Sequence, residues 1–554
     1  MTPAARELVT SRTGSVPLAV SGLAVAGLVL LGWLAVRGGY AAVVMAAAGA
    51  IAMAGGFTAC LFVIRKVLGR GSGIAGIATA VLDEAVRMRS AVALVAVFIA
   101  LLPTLPLLVD PDERLAYRVQ FLIGWTLGGS GLILGLLTIF LACGSVCGDI
   151  DSGRIHMTLS KPLHRWEYLV GKWLGIILYD LLLVALAGVG CGLVTWMLAR
   201  GLAVDAADRA TVDREVLVAR RRVVPAPDRP EEYAAAITAA IDRLEDDEPD
   251  AFAADPEAVR RRISHEYARQ WHTVTPDMET TFVFRDLDTH GGEGVQLQLE
   301  PRVTNVDVDL ADIRMAVWLN GRPWPMRDGR HEELTLASQA RHVFDLPADM
   351  IAGSPELRVR IANRNLVPPG ETRPTAITFP PGDGMQLFVR VGGFSANLAS
   401  SLLIMWAKLA LVAAVGVAAG AVFDLPLAIL TTLVFFVTAH GSGFFGEALG
   451  SYNVVADSAW GRVVERVSYA SRFIQAGRAY DAFRMLLGFV SDGILRLLPS
   501  FSDDRSVARL ATGVTIPLSD VLRRLLLFAV VYPAVIGLVG WWAFDRRDLI
   551  RSSS

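Results

Sequence analysis

The chain has 554 residues, 53% of them hydrophobic and 19% charged, with a net charge of −2, and its mean hydropathy is +0.47. Soluble domains carry about 25% charged residues, so a wholly soluble protein is excluded. With no basic tail or arginine-rich arm, nucleic acid is not an expected partner.

Apolar runs lie near residues 16–36, 40–64, 91–109, 122–147, 173–198, 399–422, 425–446 and 522–544. Each has roughly the 20-residue length that crosses the hydrocarbon core of a bilayer. Backbone polar groups in lipid must be satisfied within the segment, so about eight transmembrane helices are predicted. The first run is too long for a signal h-region and a second follows at once, so it is expected to be retained. Basic residues collect before the first span (Arg6, Arg12), between the second and third (Arg65, Lys66, Arg70, Arg87, Arg89), between the fourth and fifth (Arg154, Lys161, Arg165, Lys172) and after the last (Arg546, Arg547, Arg551). All four groups, and with them both termini, are thereby placed in the cytoplasm of a multi-pass inner-membrane protein. The four cysteines, Cys60, Cys143, Cys147 and Cys191, fall in apolar runs, and no disulfide framework is expected.

Residues 201–396 form a polar insert that this topology places outside. Its first part, 201–275, is charged and alanine-rich, and helices are predicted from Tyr233 to Leu244 and from Pro256 to Trp271. From 278 to 396 the pattern changes to short alternating runs such as Val295-Gln-Leu-Gln-Leu299 and Leu357-Arg-Val-Arg-Ile361. Turn signals (Asn320-Gly321, Asp328-Gly329, Pro368-Pro369-Gly370, Asp383-Gly384) separate them. Period-2 runs at this spacing predict an antiparallel β-sandwich. The expected fold is therefore an α-helical polytopic membrane protein with an inserted extracytoplasmic α+β domain. Its parts are a transmembrane hairpin (1–70), a first helical core (71–200), the insert (201–396) and a second helical core (397–554), in which 447–520 holds amphipathic helices at the outer surface or, as the alternative, a re-entrant segment.

The most informative stretch follows the fourth span. It contains Asp149, Asp151, Ser152, Gly153, Arg154 and Ile155, then Leu159, Ser160, Lys161 and Pro162, then Arg165, Tyr168, Gly171 and Lys172. Read physically, it is a helix end, a short amphipathic helix and a proline bend into the next span. Ser152 is placed to cap a helix start, and Lys161, Arg165 and Lys172 fall at headgroup level. Such a loop can dock on a soluble partner and move two helices together.

This pattern resembles the signature of the ABC-2 type transporter permeases: an acidic-Ser-Gly-x-Ile stretch, Leu-Ser-Lys-Pro, then Arg-x-x-Tyr-Leu-x-Gly-Lys-x-x-Gly ending at Gly175. Asp83-Glu-Ala-Val-Arg87 looks like the family's elbow helix. Leu498-Pro-Ser-Phe501, Gly513-Val-Thr-Ile516 and Phe544-Asp-Arg-Arg-Asp-Leu549 look like its last outer loop, last span and C-terminus. The resemblance implies that 148–170 is the coupling loop contacting an ABC ATP-binding subunit. It also implies that a second permease subunit, identical or not, completes the pathway. No GxxxxGK[ST] loop occurs, so ATP is expected on the partner and no cofactor or metal on this chain. The alternative is a non-transporting scaffold that displays the outer domain.

Two charges fall inside predicted spans, Asp180 in the fifth and Lys408 in the sixth. Charge at mid-bilayer costs about 2.5–3.5 kcal/mol on insertion scales. Counting in from opposite faces brings the two to similar depth, so a pair inside the bundle is one reading; the alternatives are that Lys408 snorkels outward and that Asp180 lies near the cytoplasmic headgroups.

Overall fold

The computed structural model describes residues 44, 47–69, 73–110, 112–155, 164–201, 203–247, 256–276, 278–287, 294–303, 312–347, 355–365, 376–450, 500–501 and 504–546. The predicted span at 16–36 and most of the 447–520 segment lie outside them. The described residues form two compact units, one of 47–219, 392–444 and 500–546, the other centred on 220–391.

The first unit is helical. Its elements are α1 (Ala47–Leu68), α2 (Ile74–Arg87), α3 (Arg89–Thr104), α4 (Leu115–Asp151), α5 (Arg165–Ala199) and the short α6 (Ala206–Thr211). The other unit contributes α7 (Pro230–Asp247) and α8 (Pro256–Trp271). The chain then returns through α9 (Phe394–Val422), α10 (Leu425–Gly441), α11 (Ser506–Ala511) and α12 (Leu518–Asp545).

Five of these helices, α1, α4, α5, α9 and α12, are long and apolar enough to cross a membrane. A sixth span arises if α2 and α3 count as one, but they bend by 73°. The bend sits at Met88, whose extended backbone (φ −73°, ψ 117°) interrupts the helical ladder. The expected eight spans are therefore not reached among the described residues: α3 is the second limb of a bent pair and α10 is a shorter apolar helix. The 37 residues of α4 and 35 of α5 extend to about 50 Å or more at 1.5 Å per residue, well beyond a ~30 Å core. Each helix is therefore longer than the hydrocarbon core requires.

Lipid offers no hydrophobic drive between helices, so close approach depends on small residues. Gly416 and Gly420 of α9 face Ala142 and Val146 of α4. In α2 the apolar side chains Ile77, Ala78, Val81, Leu82 and Ala85 are buried at helical spacing, leaving the other face to Asp83, Glu84 and Arg87. Asp83 pairs with Arg65 at the end of α1.

The second unit is β-rich and antiparallel. Its longer strands are β1 (Val218–Val223), β2 (Glu279–Phe284), β3 (Val295–Leu299), β4 (Asp312–Leu319), β5 (Leu334–Ala337), β6 (His342–Asp345), β7 (Leu357–Asn363) and β8 (Met385–Gly393). One sheet runs β1-β8-β3-β6. The other runs β5-β4-β7-β2 and ends on the short strand Ala226–Pro227. Val295, Leu297 and Leu299 of the first sheet share one core with Phe282, Val317 and Val359 of the second. Asn320 (φ 48°) and Gly321 (φ 80°) make the predicted tight turn out of β4, a conformation that favours Asn-Gly. Trp324 and Phe344 pack edge to face at 5.4 Å, while Trp318 and Phe388 lie under the Arg360 and Arg220 guanidiniums. The incoming strand β1 and the outgoing strand β8 are neighbours in one sheet. A Cβ on Gly392 would touch the Cβ of Ala219 at 3.7 Å.

Candidate functional site

Three elements meet where the 148–170 loop begins. Glu84 comes from α2, Asp149 from the last turn of α4, and Tyr168 and Lys172 from the first turns of α5. Lys172 is 2% exposed. Its ammonium donates to Asp149 Oδ2 at 2.8 Å, to Glu84 Oε2 at 3.1 Å and to the Ser145 carbonyl at 2.9 Å, which uses all three of its protons. The Tyr168 hydroxyl donates to the same Asp149 oxygen at 3.0 Å. Arg154 stands 3.5 Å from Asp149 and 3.8 Å from Glu84, so two cations share two carboxylates. Lys172 is thus not a headgroup anchor; it is the hub joining α2, α4 and α5.

The Gly-Lys-x-x-Gly spacing is what lets α2 come this close. Gly171 lies against Ile77, and a Cβ on Gly175 would stand 2.8 Å from the Ala78 carbonyl oxygen. The two glycines share one face of α5, and Lys172 projects beside it toward Glu84.

Ser152 also departs from expectation. Its hydroxyl donates back to the Gly148 carbonyl and accepts from Arg154 Nε at 2.8 Å. It closes α4, with Gly153 (φ 67°) following in the left-handed conformation usual after a helix end. Asp151 and Ser152 are exposed, whereas Ile155 is buried. Leu159, Ser160, Lys161 and Pro162 lie outside the described residues.

Arg165 is no lipid anchor either. Its guanidinium donates to the Phe544 and Asp545 carbonyls at 2.9 and 3.0 Å, capping the last turn of α12. Phe544, fully buried, stacks on Tyr168 at 6.2 Å.

In place of an Asp180–Lys408 pair there are two separate arrangements. Asp180 is fully buried beside Thr138, whose hydroxyl lies 3.0 Å from Oδ2. Lys408 instead pairs with Asp504 Oδ2 at 2.6 Å, and Arg524 pairs with the other oxygen at 2.6 Å. Depth counting treats spans as straight and equally inserted, and it could not see a carboxylate folded back from a connecting loop. Burial pushes the Asp504 carboxyl up, but Lys408 and Arg524 outweigh it and hold the group below its ordinary value.

At the other end of α4 the first turn has no local cap. Asp208 of α6 supplies one, accepting from the Leu115, Ala116 and Val204 N–H groups at 2.8, 3.1 and 3.2 Å. Nearby, Gly513 (φ 65°) sits so close to the Glu215 carbonyl that any Cβ would collide with it. Burial raises the Asp208 carboxyl, but the three N–H donors outweigh it and hold it below the ordinary carboxylate range. A depressed carboxyl contributes stability that is complete above its unfolded value of about 3.9 and is lost as pH falls through the folded value. Asp208→Asn should cost about 1 kcal/mol near neutrality. The melting gap to wild type should close below about pH 4 in detergent; a gap unchanged into stronger acid would remove Asp208 as a charged cap.

Comparison with known proteins bears on this same segment. Residues 77–210 match the family model described as ABC-2 family transporter protein. The resemblance to the ABC-2 permease family holds. The matched stretch contains α2 from Ile77, all of α4 and α5, and every member of the Lys172 cluster. The uncharacterized protein YhcI of Bacillus subtilis (strain 168) is 32% identical over 86 residues, a stretch that spans 14% of this chain and 28% of that protein's length. No solved structure matches. The 77–210 segment is accordingly similar to ABC-2 family transporter proteins, and the chain has helices apolar and long enough to cross a membrane together with a separate β-rich unit.

Proposed function

We propose that this chain is the membrane-spanning permease subunit of an ABC-2 type transporter. A separate ATPase docks on the 148–170 loop, and its hydrolysis of ATP drives export of a substrate across the cytoplasmic membrane. A second permease subunit, identical or related, completes the pathway. The observation that supports this best is the Lys172 hub. A push on the loop, whose exposed edge carries Asp151 and Ser152, reaches Asp149 and Lys172 at once and through them α2, α4 and α5. Charge-assisted hydrogen bonds of this kind are short and directional, so the three elements move together.

Co-purification tests it. A candidate ATPase co-expressed with the wild-type chain should be recovered in complex. Asp151→Arg should lose most of it, while Glu231→Arg on the exposed surface of α7 should not. Recovery that ignores Asp151→Arg, or no recovery with any partner, sinks the coupling reading and favours the scaffold.

A further inference from the structure

The last span is tied down at both ends. Near its C-terminus, Arg165 holds the Phe544 and Asp545 carbonyls and Tyr168 stacks on Phe544. Near its N-terminus, Arg524 holds Asp504, which Lys408 of α9 holds from the other side. Asp504 also accepts from the Ser506 N–H and hydroxyl, each at 3.0 Å. These two attachments lie about 30 Å apart along α12 at 1.5 Å rise per residue. A π-helical turn, Leu526–Val531, follows directly on Arg524, and such turns recur at functional sites.

We propose that α12 is a connecting rod which delivers motion of the loop to the Asp504 cluster, with Arg165 and Tyr168 as the positioning residues that couple its lower end. The proposal rests on the permease reading of the loop. Its physics is geometric. The two contacts on Asp504 are both 2.6 Å, and one comes from α12 while the other comes from α9. An axial shift of α12 by about 1–2 Å, the usual size of helix shifts in switching proteins, moves Arg524 relative to Lys408, which α9 carries, and so strains the bridge that both make to Asp504. Opening of the cluster then follows loop motion at the far side of the bundle.

The test uses the full chain with its co-purified ATPase in lipid nanodiscs. Ser506→Cys, in a Cys60→Ser background, reports opening, because Ser506 is buried against Asp504. ATP with Mg²⁺ should raise its maleimide labelling severalfold. In complexes recovered with Arg165→Gln that response should be lost, and Arg165→Lys, which keeps a charged donor on a shorter side chain, should restore part of it. Hydrogen exchange at the Ser506 amide, which donates to Asp504 Oδ1, reads the same opening should the cysteine variant misfold. A bound ATPase with an equal response in wild type and Arg165→Gln overturns the rod. So does a bound ATPase with no response in wild type, and so does loss of the ATPase from Arg165→Gln, which would make Arg165 a docking residue. Absence of any ATPase from wild type is a different failure: it removes the permease reading itself, and the rod with it.

Discussion

Lys172→Met should destabilise the bundle by about 3–5 kcal/mol, the penalty for removing one partner from a buried ionic cluster. The loss is asymmetric. Lys172 is 3% exposed at its side chain, and its removal leaves Asp149 and Glu84, themselves only 12% and 17% exposed, facing each other without a cation between them. Arg154 relieves this only in part, since its contacts of 3.5 and 3.8 Å are longer. The triple variant Lys172→Met, Asp149→Asn, Glu84→Gln should recover much of the loss, because neutral partners leave no stranded charge. Thermal unfolding in detergent reads both. A single variant within about 1 kcal/mol of wild type, or a triple no better than the single, would show that the cluster is solvated and not structural.

Substitutions of glycine along α5 should divide by position, not by helix propensity. Gly→Ala in a helix interior gains about 1 kcal/mol everywhere. At Gly192 the nearest atom to an added Cβ is a Leu398 methyl at 3.7 Å, so Gly192→Ala should be neutral or stabilising. At Gly175 the obstacles are the Ala78 carbonyl oxygen and the Val81 Cβ, both at 2.8 Å, and the Ala78 Cα at 3.0 Å. Two of these are main-chain atoms and cannot swing aside, so α2 must retreat. Gly175→Val should therefore lose about 3 kcal/mol to overpacking and, by moving Glu84 away, should weaken the Lys172 cluster as well. Equal melting temperatures for Gly175→Val and wild type would mean that α2 is not seated on α5.

The sequence made most of this architecture legible where the signal is local. Apolar runs located α1, α4, α5, α9 and α12, and alternation with Asn-Gly and Asp-Gly turns located the sheets. The Gly-Lys-x-x-Gly pattern was legible as a pattern, but its physical content was not. Lys172 meets a carboxylate 88 residues earlier in the chain, and nothing in local spacing distinguishes such a lysine from one that snorkels. Asp208 escaped for the same reason: it caps a helix start 93 residues away. Spacing placed Ser152 at a helix start, whereas it closes the helix before it; Ser, Gly and a following polar turn read alike at either terminus. Asp180 and Lys408 were found as costly charges, yet their partners, Thr138 and Asp504, are set by helix rotation and by a returning loop, neither of which leaves a periodic trace.

The junction between the two units carries a consequence for how such a protein arises and can be altered. Ala219 and Gly392 stand side by side on adjacent strands, so the 172 residues from 220 to 391 leave and rejoin the helical chain through one narrow stem. Closely spaced ends are the condition under which one domain can be inserted into another. The β-rich stretch is therefore joined to the helical chain in the way an inserted domain is. A short turn bridging 219 to 392 would join the two helical stretches directly, and a different folded module with adjacent ends could be spliced into the same stem.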